Sequence, residues 1–475
     1  MKLTPLGKLM LFAIGLGLVV TGLWQVLPAD LRTASGWVER TRSRVGGPGD
    51  PSASRPSAQE LRLHGSNTIG RDLAPALAEK FLAQRGSVDA RRRSPAAEEV
   101  VVEGHLPGQV EMVRIEIAAH GSSTAFESLA SGKADIGLSS RRIRPEERQR
   151  LASLGDMTSA AAEHVLALDG VAIVVHRANP VDSLSLRQVR ALFTGEISDW
   201  SAVGGSPGPV HLHARDDRSG TFDTFKTLVL GDAALASTAR RYEDSRALAR
   251  EVATDPRGLG FVGLAYQGET RAIKVSDEDS IAYRPTVFTI RTEDYLLTRR
   301  LFLYTAQAPS NPLVASFVEF ALSDAGQRIV DSVGFVGQSL LAAPEAAASP
   351  PANAPPAYVT AVAGATRLPL TFRFESGSNR LDNKALRDVG RLLEGLSEGA
   401  HRNKRVLLLG FTDSLGGPEV NLRLSRERAA AVEQELIAEG IRPAVVLGFG
   451  PALPVATNDG EEGRSRNRRV EVWVR

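Results

Sequence analysis

HLHARDDRSGTFDTFKTLVL, residues 211–230, runs from an alternating apolar stretch through a polar turn into an amphipathic segment. The apolar period changes at the turn, so the segment reads as strand, loop and helix. Ser219, Gly220 and Thr221 then stand at the start of that helix, where backbone N–H groups lack intrahelical partners. Free donors and the positive end of the helix dipole face one point there, which suits an anion held without a metal. Arg215, arriving from the strand, adds a planar fork that can grip two oxygens of a tetrahedral anion.

The same unit of strand, polar turn and helix recurs on the N-terminal side. RLHGSN (62–67) leads into DLAPALAEKFLAQRG (72–86), and VRIEIAAHGSS (113–123) into TAFESLASG, followed by the short strand of ADIGLSS (134–140). GVAIVVHRANPV (170–181) is apolar enough for a strand buried on both faces, and SLRQVRALFTG (185–195) is a helix stopped by Gly195. This alternation predicts an α/β body with ligand contacts at the C-terminal ends of its strands. Residues 87–110 fit the pattern poorly and read as an inserted loop. Four turns of the body carry similar chemistry: Gly65–Thr68 with Ser66, Gly121–Thr124 with Ser122 and Ser123, Ser139–Ser140, and Arg215–Thr221. A single Ser/Thr turn is an ordinary helix cap, but four in one body, one with an arginine, point to convergent donors around an oxyanion.

With these residues the chain resembles the periplasmic phosphate-binding proteins of ABC transporters, the PstS-like branch of the type II solute-binding fold. The landmarks are GSNTI (65–69), HGSSTAFESLASGKADIGLSS (120–140), LRQVRALFTGEISDWSAVGG (186–205), ARDDRSGTFDTF (214–225), GLGFVG (258–263) and FVEFALSDAGQRIVDSVGFVG (317–337). The resemblance covers roughly 60–340 and implies two α/β lobes joined by crossing strands that close on the ligand. It implies ligand contacts from Thr68, Ser123, Arg215, Ser219, Gly220 and Thr221, with Ser66 and Ser122 beside them. Asp217 matches a family aspartate that orients the arginine. One position departs from the family: phosphate-specific members end the turn after ADIG with an aspartate that accepts the ligand's proton, and this chain has Ser140. The expected ligand is therefore phosphate with weakened discrimination against sulfate or arsenate, Asp216 being one substitute acceptor.

Beyond 366 a second body follows. PLTFRF (369–374), RVLLLGFTD (405–413) and AVVLGFG (444–450) read as strands, NKALRDVGRLLEGLSE (383–398) and NLRLSRERAAAVEQELIAEG (421–440) as helices, and VEVWVR (470–475) as a closing edge strand. Asn421 and Arg428 are two helical turns apart and share a face. By spacing alone, capping and a solvated arginine stripe account for them. GFTDSLGG, NLRLSRERAAAV and NDGEEGRSRNRRVEV together, however, are similar to the OmpA-like peptidoglycan-binding domain, a small α/β sandwich. That likeness implies that Asp413 receives the ammonium of diaminopimelate and Arg428 its carboxylate, with Thr412, Asn421, Arg464, Asn467 and Arg468 lining or bracing the site. Phe411 stands where the family often has His.

The chain has 475 residues, enough for these bodies and their linkers, which we place at 36–60 and, Pro/Ala-rich, at 342–366. The expected domains are thus a signal anchor or signal peptide (1–35), a solute-binding domain (61–341) and an OmpA-like domain (367–475). Lys2 and Lys8 precede an uncharged apolar run, Leu9–Pro28, whose length as a helix would be ~30 Å, about one hydrocarbon thickness. It reads as one transmembrane helix, an uncleaved anchor to the inner membrane with the rest in the periplasm, since the small-x-small match at Thr33–Gly36 is poor. Fifty-seven Lys+Arg against 55 Asp+Glu gives no electrostatic case for nucleic acid. The absence of cysteine excludes thiol catalysis, disulfides and zinc–thiolate sites. His211 and His213 share a strand face without a third ligand, and RSGT is not a nucleophile elbow, so neither metal, cofactor nor enzyme is expected. Two functions stay open: an envelope-tethered oxyanion receptor serving an ABC permease or a sensor, and a structural tether reusing the solute-binding fold for a protein or wall fragment.

Overall fold

The computed structural model describes residues 60–475 apart from 218, 279, 341–349, 376–377, 398–400 and 403. The first lobe holds strands β1 (Glu60–Gly65), β2 (Arg91–Arg93), β3 (Glu99–His105), β4 (Met112–Ala118) and β5 (Ile136–Ser139). The chain crosses on β6 (Glu163–Val175) to a second lobe with β7 (Ser183–Ser185), β8 (His211–Arg215), β9 (Arg240–Tyr242), β10 (Gly258–Gly263), β11 (Arg271–Ala272) and β12 (Lys274–Ser276). It returns on β13 (Thr298–Thr305). One strand path runs β2-β3-β4-β1-β5-β13-β6-β10-β8-β9, with β11 also on β6.

β6 explains why one path serves two cores. All 13 of its residues are buried; its first part pairs antiparallel with β13 and its last five residues with β10. Its second part, GVAIVV, is apolar as a strand buried on both faces requires, and its first part also buries the polar Glu163, His164 and Asp169. The first-lobe core gathers Leu61, Leu63, Ile115, Leu138 and Phe317, and the second gathers Ile173, Phe193, Phe225 and Phe261. Helices follow strands as the sequence pattern predicts: Leu73–Gln84, Ser122–Ala130, Leu186–Thr194 with a Ser185 capping box, and Gly220–Phe225. Gly65 ends β1 at φ +139°, and a Cβ there would lie 2.1 Å from the Leu138 carbonyl oxygen, so the turn that presents Ser66–Thr68 requires glycine.

Residues 87–110 are not an inserted loop. Arg91–Arg93 and Glu99–His105 form a hairpin against β4, because Val100, Val101 and Val102 form an apolar run that β4 covers.

In the C-terminal body, β14 (Thr366–Arg373), β15 (Val406–Gly410), β16 (Val445–Gly448) and β17 (Arg469–Val474) form a sheet ordered β14-β17-β15-β16, with β15 and β16 parallel. The closing segment is therefore not an edge: β17 lies between β14 and β15 and is buried along its length. Alternation misleads here because Glu471, the polar member, is satisfied internally by Arg469 and by the Tyr358 hydroxyl at 2.9 Å. Within the segment read as a Pro/Ala-rich linker, Pro356–Val362 form a helix whose Tyr358 and Val362 are buried with Phe411, Leu409 and Trp473. The expected membrane segment Leu9–Pro28 lies outside the described residues. Among the described residues no helix is long and apolar enough to cross a membrane.

Candidate functional site

In the N-terminal body, β1, β4 and β5 deliver Thr68, Ser122 and Ser140 from the first lobe, while β8 and the helix Gly220–Phe225 deliver Arg215 and Ser219–Thr221 from the second. The two sets meet. A Cβ on Gly220 would lie 2.7 Å from Thr68 Oγ1, so glycine permits the close approach of the lobes. Thr68, Arg215, Ser219, Gly220 and Thr221 line a cavity of about 250 Å³, with Asp169 and Tyr266 in its wall. Ser140 opens instead on a second cavity of about 510 Å³, walled by Arg141, Arg299 and residues of the C-terminal body.

Individual candidates differ in what they offer. Ser122 Oγ lies 3.1 Å from Ser140 Oγ and accepts the Ser140 N–H at 3.0 Å. Ser123 is exposed, 3.5 Å from Arg141 Nη2, which chiefly pairs with Glu147. Ser66 is buried, its N–H given to the Leu138 carbonyl at 2.8 Å. Ser219 Oγ accepts the Phe222 N–H at 3.3 Å, serving as the helix cap. Arg215 is buried with its fork engaged: it donates to the carbonyls of Tyr242 (3.2 Å) and Glu243 (2.7 Å) and to Ser245 Oγ. Burial lowers its pKa. Asp217 does not orient Arg215; it is exposed and accepts from Arg241 at 2.7 Å, while Arg241 also donates to the Arg215 carbonyl.

Two residues that the sequence did not single out join this group. Arg299, buried on β13, donates to Thr68 Oγ1 at 2.8 Å, to the Gly220 carbonyl at 3.0 Å, to Asp223 at 2.9 Å and to Asp169 at 3.3 Å. Asp223 Oδ2 also lies 3.5 Å from Ser140 Oγ. Arg299 sits in the doublet TRRLF, which in one-dimensional reading resembles any charged pair at a strand start. Asp223 was legible as an acidic residue in a helix first turn, a favourable place for it in its own right.

The C-terminal candidates converge near the end of β15. Asp413 Oδ1 accepts the Leu415 N–H at 3.1 Å, and its Oδ2 accepts from Arg468 at 2.9 Å. Arg468 also pairs with Glu461; these acids outweigh burial and raise its pKa. Arg428 is 8% exposed, faces the Phe374 ring at 5.7 Å, and has its Nε and Nη1 buried without a hydrogen-bond partner. Burial first, and the Arg468 charge second, lower its pKa. Thr412 Oγ1 and Asn421 Oδ1 are likewise buried and without a partner. Buried polar atoms are normally satisfied, so these partnerless donors and acceptors mark the cluster as a candidate ligand site. Asn467 and Arg464 brace the adjoining loop: Asn467 takes the N–H groups of Val455 and Ala456, and Arg464 holds the Asn458 carbonyl at 2.9 Å.

Comparison with known proteins finds two separate matches along the chain. Residues 94–325 match the PBP superfamily domain and residues 373–468 the OmpA family. The phosphate-binding protein PstS of Staphylococcus aureus is 28% identical over 241 residues, 49% of this chain and 70% of that protein. A possible phosphate-binding protein from Planctomyces limnophilus aligns in structure at TM-score 0.48 and 25% identity, over 58% of this chain and 92% of its own. The peptidoglycan-associated lipoprotein from Burkholderia pseudomallei aligns at TM-score 0.21 and 26% identity, over 22% of this chain and 89% of its own. The chain thus carries a PBP-superfamily domain followed by an OmpA-family domain.

Proposed function

We propose that the chain is a cell-wall-associated phosphate-binding protein of the periplasm. Its N-terminal body takes a tetrahedral oxyanion between the lobes, through Thr68, Ser122, Ser123, Ser140, Arg215 and Ser219–Thr221. Its C-terminal body takes the zwitterionic end of diaminopimelate-containing peptidoglycan, with Asp413 for the ammonium and Arg428 for the carboxylate. The observation that carries this reading is the meeting of hydroxyls and a buried arginine from both lobes at Thr68–Gly220, in a domain similar to a relative named for phosphate binding. The partnerless guanidinium of Arg428 beside Asp413 supports the wall-binding half. Tethering by Leu9–Pro28 in the inner membrane, and delivery of the anion to an ABC permease or a sensor, extend this reading from the sequence. No catalytic step is assigned to the chain.

One observation favours the structural-tether alternative. Arg215 already spends its fork on Tyr242, Glu243 and Ser245, and must release one of them to grip an anion. Calorimetry with phosphate, sulfate and arsenate at two pH values decides between the two readings. Heat with phosphate is expected; silence with all three anions leaves the tether. For the wall, retention on diaminopimelate-type peptidoglycan is expected and should be abolished by Asp413→Ala or Arg428→Ala.

A further inference from the structure

Hydroxyls and N–H groups hold any tetrahedral anion, because every oxygen of the ligand can accept. They cannot separate phosphate, which at neutral pH carries at least one O–H, from sulfate, which carries none. Only a fixed acceptor does that: it receives the O–H of phosphate and faces a lone pair of sulfate. Ser140, which can donate as well as accept, does not impose this choice.

Asp72, Asp169, Glu243 and Asp244 line the cavity of about 250 Å³, whereas the carboxylates bonded to Arg299 or to the hydroxyl cluster, among the described residues, are Asp169 and Asp223. Asp169 is 6% exposed and already takes Arg299 Nε and, at 2.7 Å, Thr224 Oγ1. Asp217 is 81% exposed and turned to Arg241. Of the two carboxylates bonded to Arg299, Asp223 combines exposure with a hydroxyl of the cluster within reach. Its side chain is 57% exposed, its Oδ2 is 3.5 Å from Ser140 Oγ, and Arg299 Nη1 holds the same oxygen at 2.9 Å. Arg299 Nη2 reaches Thr68 Oγ1 at 2.8 Å, and Ser140 reaches Ser122 at 3.1 Å. Ser122, Ser140, Asp223, Arg299 and Thr68 thus form one continuous polar chain from lobe to lobe. The Ser140–Asp223 link is its longest and weakest member, the one a ligand O–H most easily replaces.

We propose that Asp223, oriented by Arg299, is the acceptor that makes this site select a protonated oxyanion, inorganic phosphate, over sulfate. Arg299 fixes the carboxylate and offsets its charge, so a dianion is not repelled by the group that reads its proton. The proposal rests on the oxyanion-binding reading above and assigns its selectivity to a residue on the second lobe rather than to Ser140.

Calorimetry of the full-length chain with sodium phosphate and sodium sulfate at neutral pH tests it. Wild type is expected to favour phosphate. Asp223→Asn, whose amide can donate to a sulfate oxygen, should shrink the phosphate-to-sulfate affinity ratio by roughly 5-fold, the low end for a lost acceptor because the Asp223 side chain is partly open to water. The double variant Ser140→Asp/Asp223→Asn, which moves the carboxylate across the 3.5 Å gap, should recover the ratio and shows that the fold is intact. An undiminished ratio in Asp223→Asn, or equal binding of both anions by wild type, overturns the proposal while leaving oxyanion binding standing. Absence of binding to either anion by wild type removes the oxyanion reading itself.

Discussion

A guanidinium that loses water without gaining hydrogen bonds at Nε and Nη1, as Arg428 does, destabilises the free protein even with the Phe374 ring beside it. Replacing it with methionine keeps the aliphatic stem and removes the unpaired donors. Arg428→Met should therefore raise unfolding free energy by about 1–2 kcal/mol in denaturant melts while abolishing retention on peptidoglycan. A variant less stable than wild type would mean that the guanidinium has partners in the free protein. Arg428 and Asp413 were legible in the sequence because GFTDSLGG and NLRLSRERAAAV are contiguous strings that carry their own context. Arg299 was not. Its partners Thr68, Asp169, Gly220 and Asp223 lie far from it along the chain, and only the antiparallel pairing of β13 with β6 and β5 brings it to them. Asp217 shows the reverse error: the family resemblance implied that it orients Arg215, but the turn directs the carboxylate outward to Arg241.

Elements were legible where their period was long and their caps were ordinary. The helix Leu186–Thr194, with Ser185 and Gly195 at its ends, followed directly from SLRQVRALFTG. The strand hairpin at 91–105 was hidden because β2 is three exposed arginines, a composition that reads as loop. The helix Pro356–Val362 was hidden by its setting in prolines and alanines, although Pro355 and Pro356 suit a helix start. Tyr358 gives this short element its value. It is 3% exposed, meets Phe411, Phe449 and Trp473 edge-on at 6.1, 5.4 and 6.1 Å, and donates its hydroxyl to Glu471. Tyr358→Ala should lower the stability of the C-terminal body by roughly 3–5 kcal/mol, a large aromatic truncation in a core. Tyr358→Phe should lower it by about 1–2 kcal/mol, the loss of one buried hydrogen bond to a carboxylate. Thermal melts of the two variants measure this; wild-type melting of Tyr358→Ala would restore the linker description of 356–362.

The described part of the chain belongs to one compact unit, residues 57–475, and the contacts between its two bodies explain why a Pro/Ala-rich connection does not leave them independent. Arg299 and Arg300 are neighbours on β13 with opposite assignments, as strand alternation requires: one reaches the lobe junction, the other Asp382 of the C-terminal body at 2.7 Å. Glu293 joins Arg300 at 3.0 Å, Arg373 at 3.2 Å and Lys384 at 3.8 Å, and Arg367 pairs with fully buried Asp294 at 2.7 Å. The C-terminal body also touches both lobes, giving Asn383 Nδ2 to the Thr158 carbonyl at 2.8 Å and the Thr457 N–H to Asp277 at 3.1 Å. Burial alone would raise the Glu293 carboxyl, but Arg300, Arg373 and Lys384 outweigh it and hold it down at about 2. An ordinary glutamate in the unfolded chain titrates near ~4.3. Because the folded value is the lower one, the stabilisation is complete above that pH and is lost as pH falls towards 2. Its size is on the order of 3 kcal/mol. Scanning calorimetry of the wild type should therefore show the two bodies melting together at neutral pH and losing stability on the acid side of pH ~4.5. Glu293→Gln leaves Arg300, Arg373 and Lys384 facing one another with less counter-charge, a loss of roughly 3–5 kcal/mol for a broken buried pair. Its transition should fall at neutral pH and split into two, and its acid limb should be flatter than wild type. An acid limb as steep as wild type would assign the titration to another carboxylate, and an unsplit transition would place the coupling between the bodies in the contacts made by Arg367, Asn383 and Thr457.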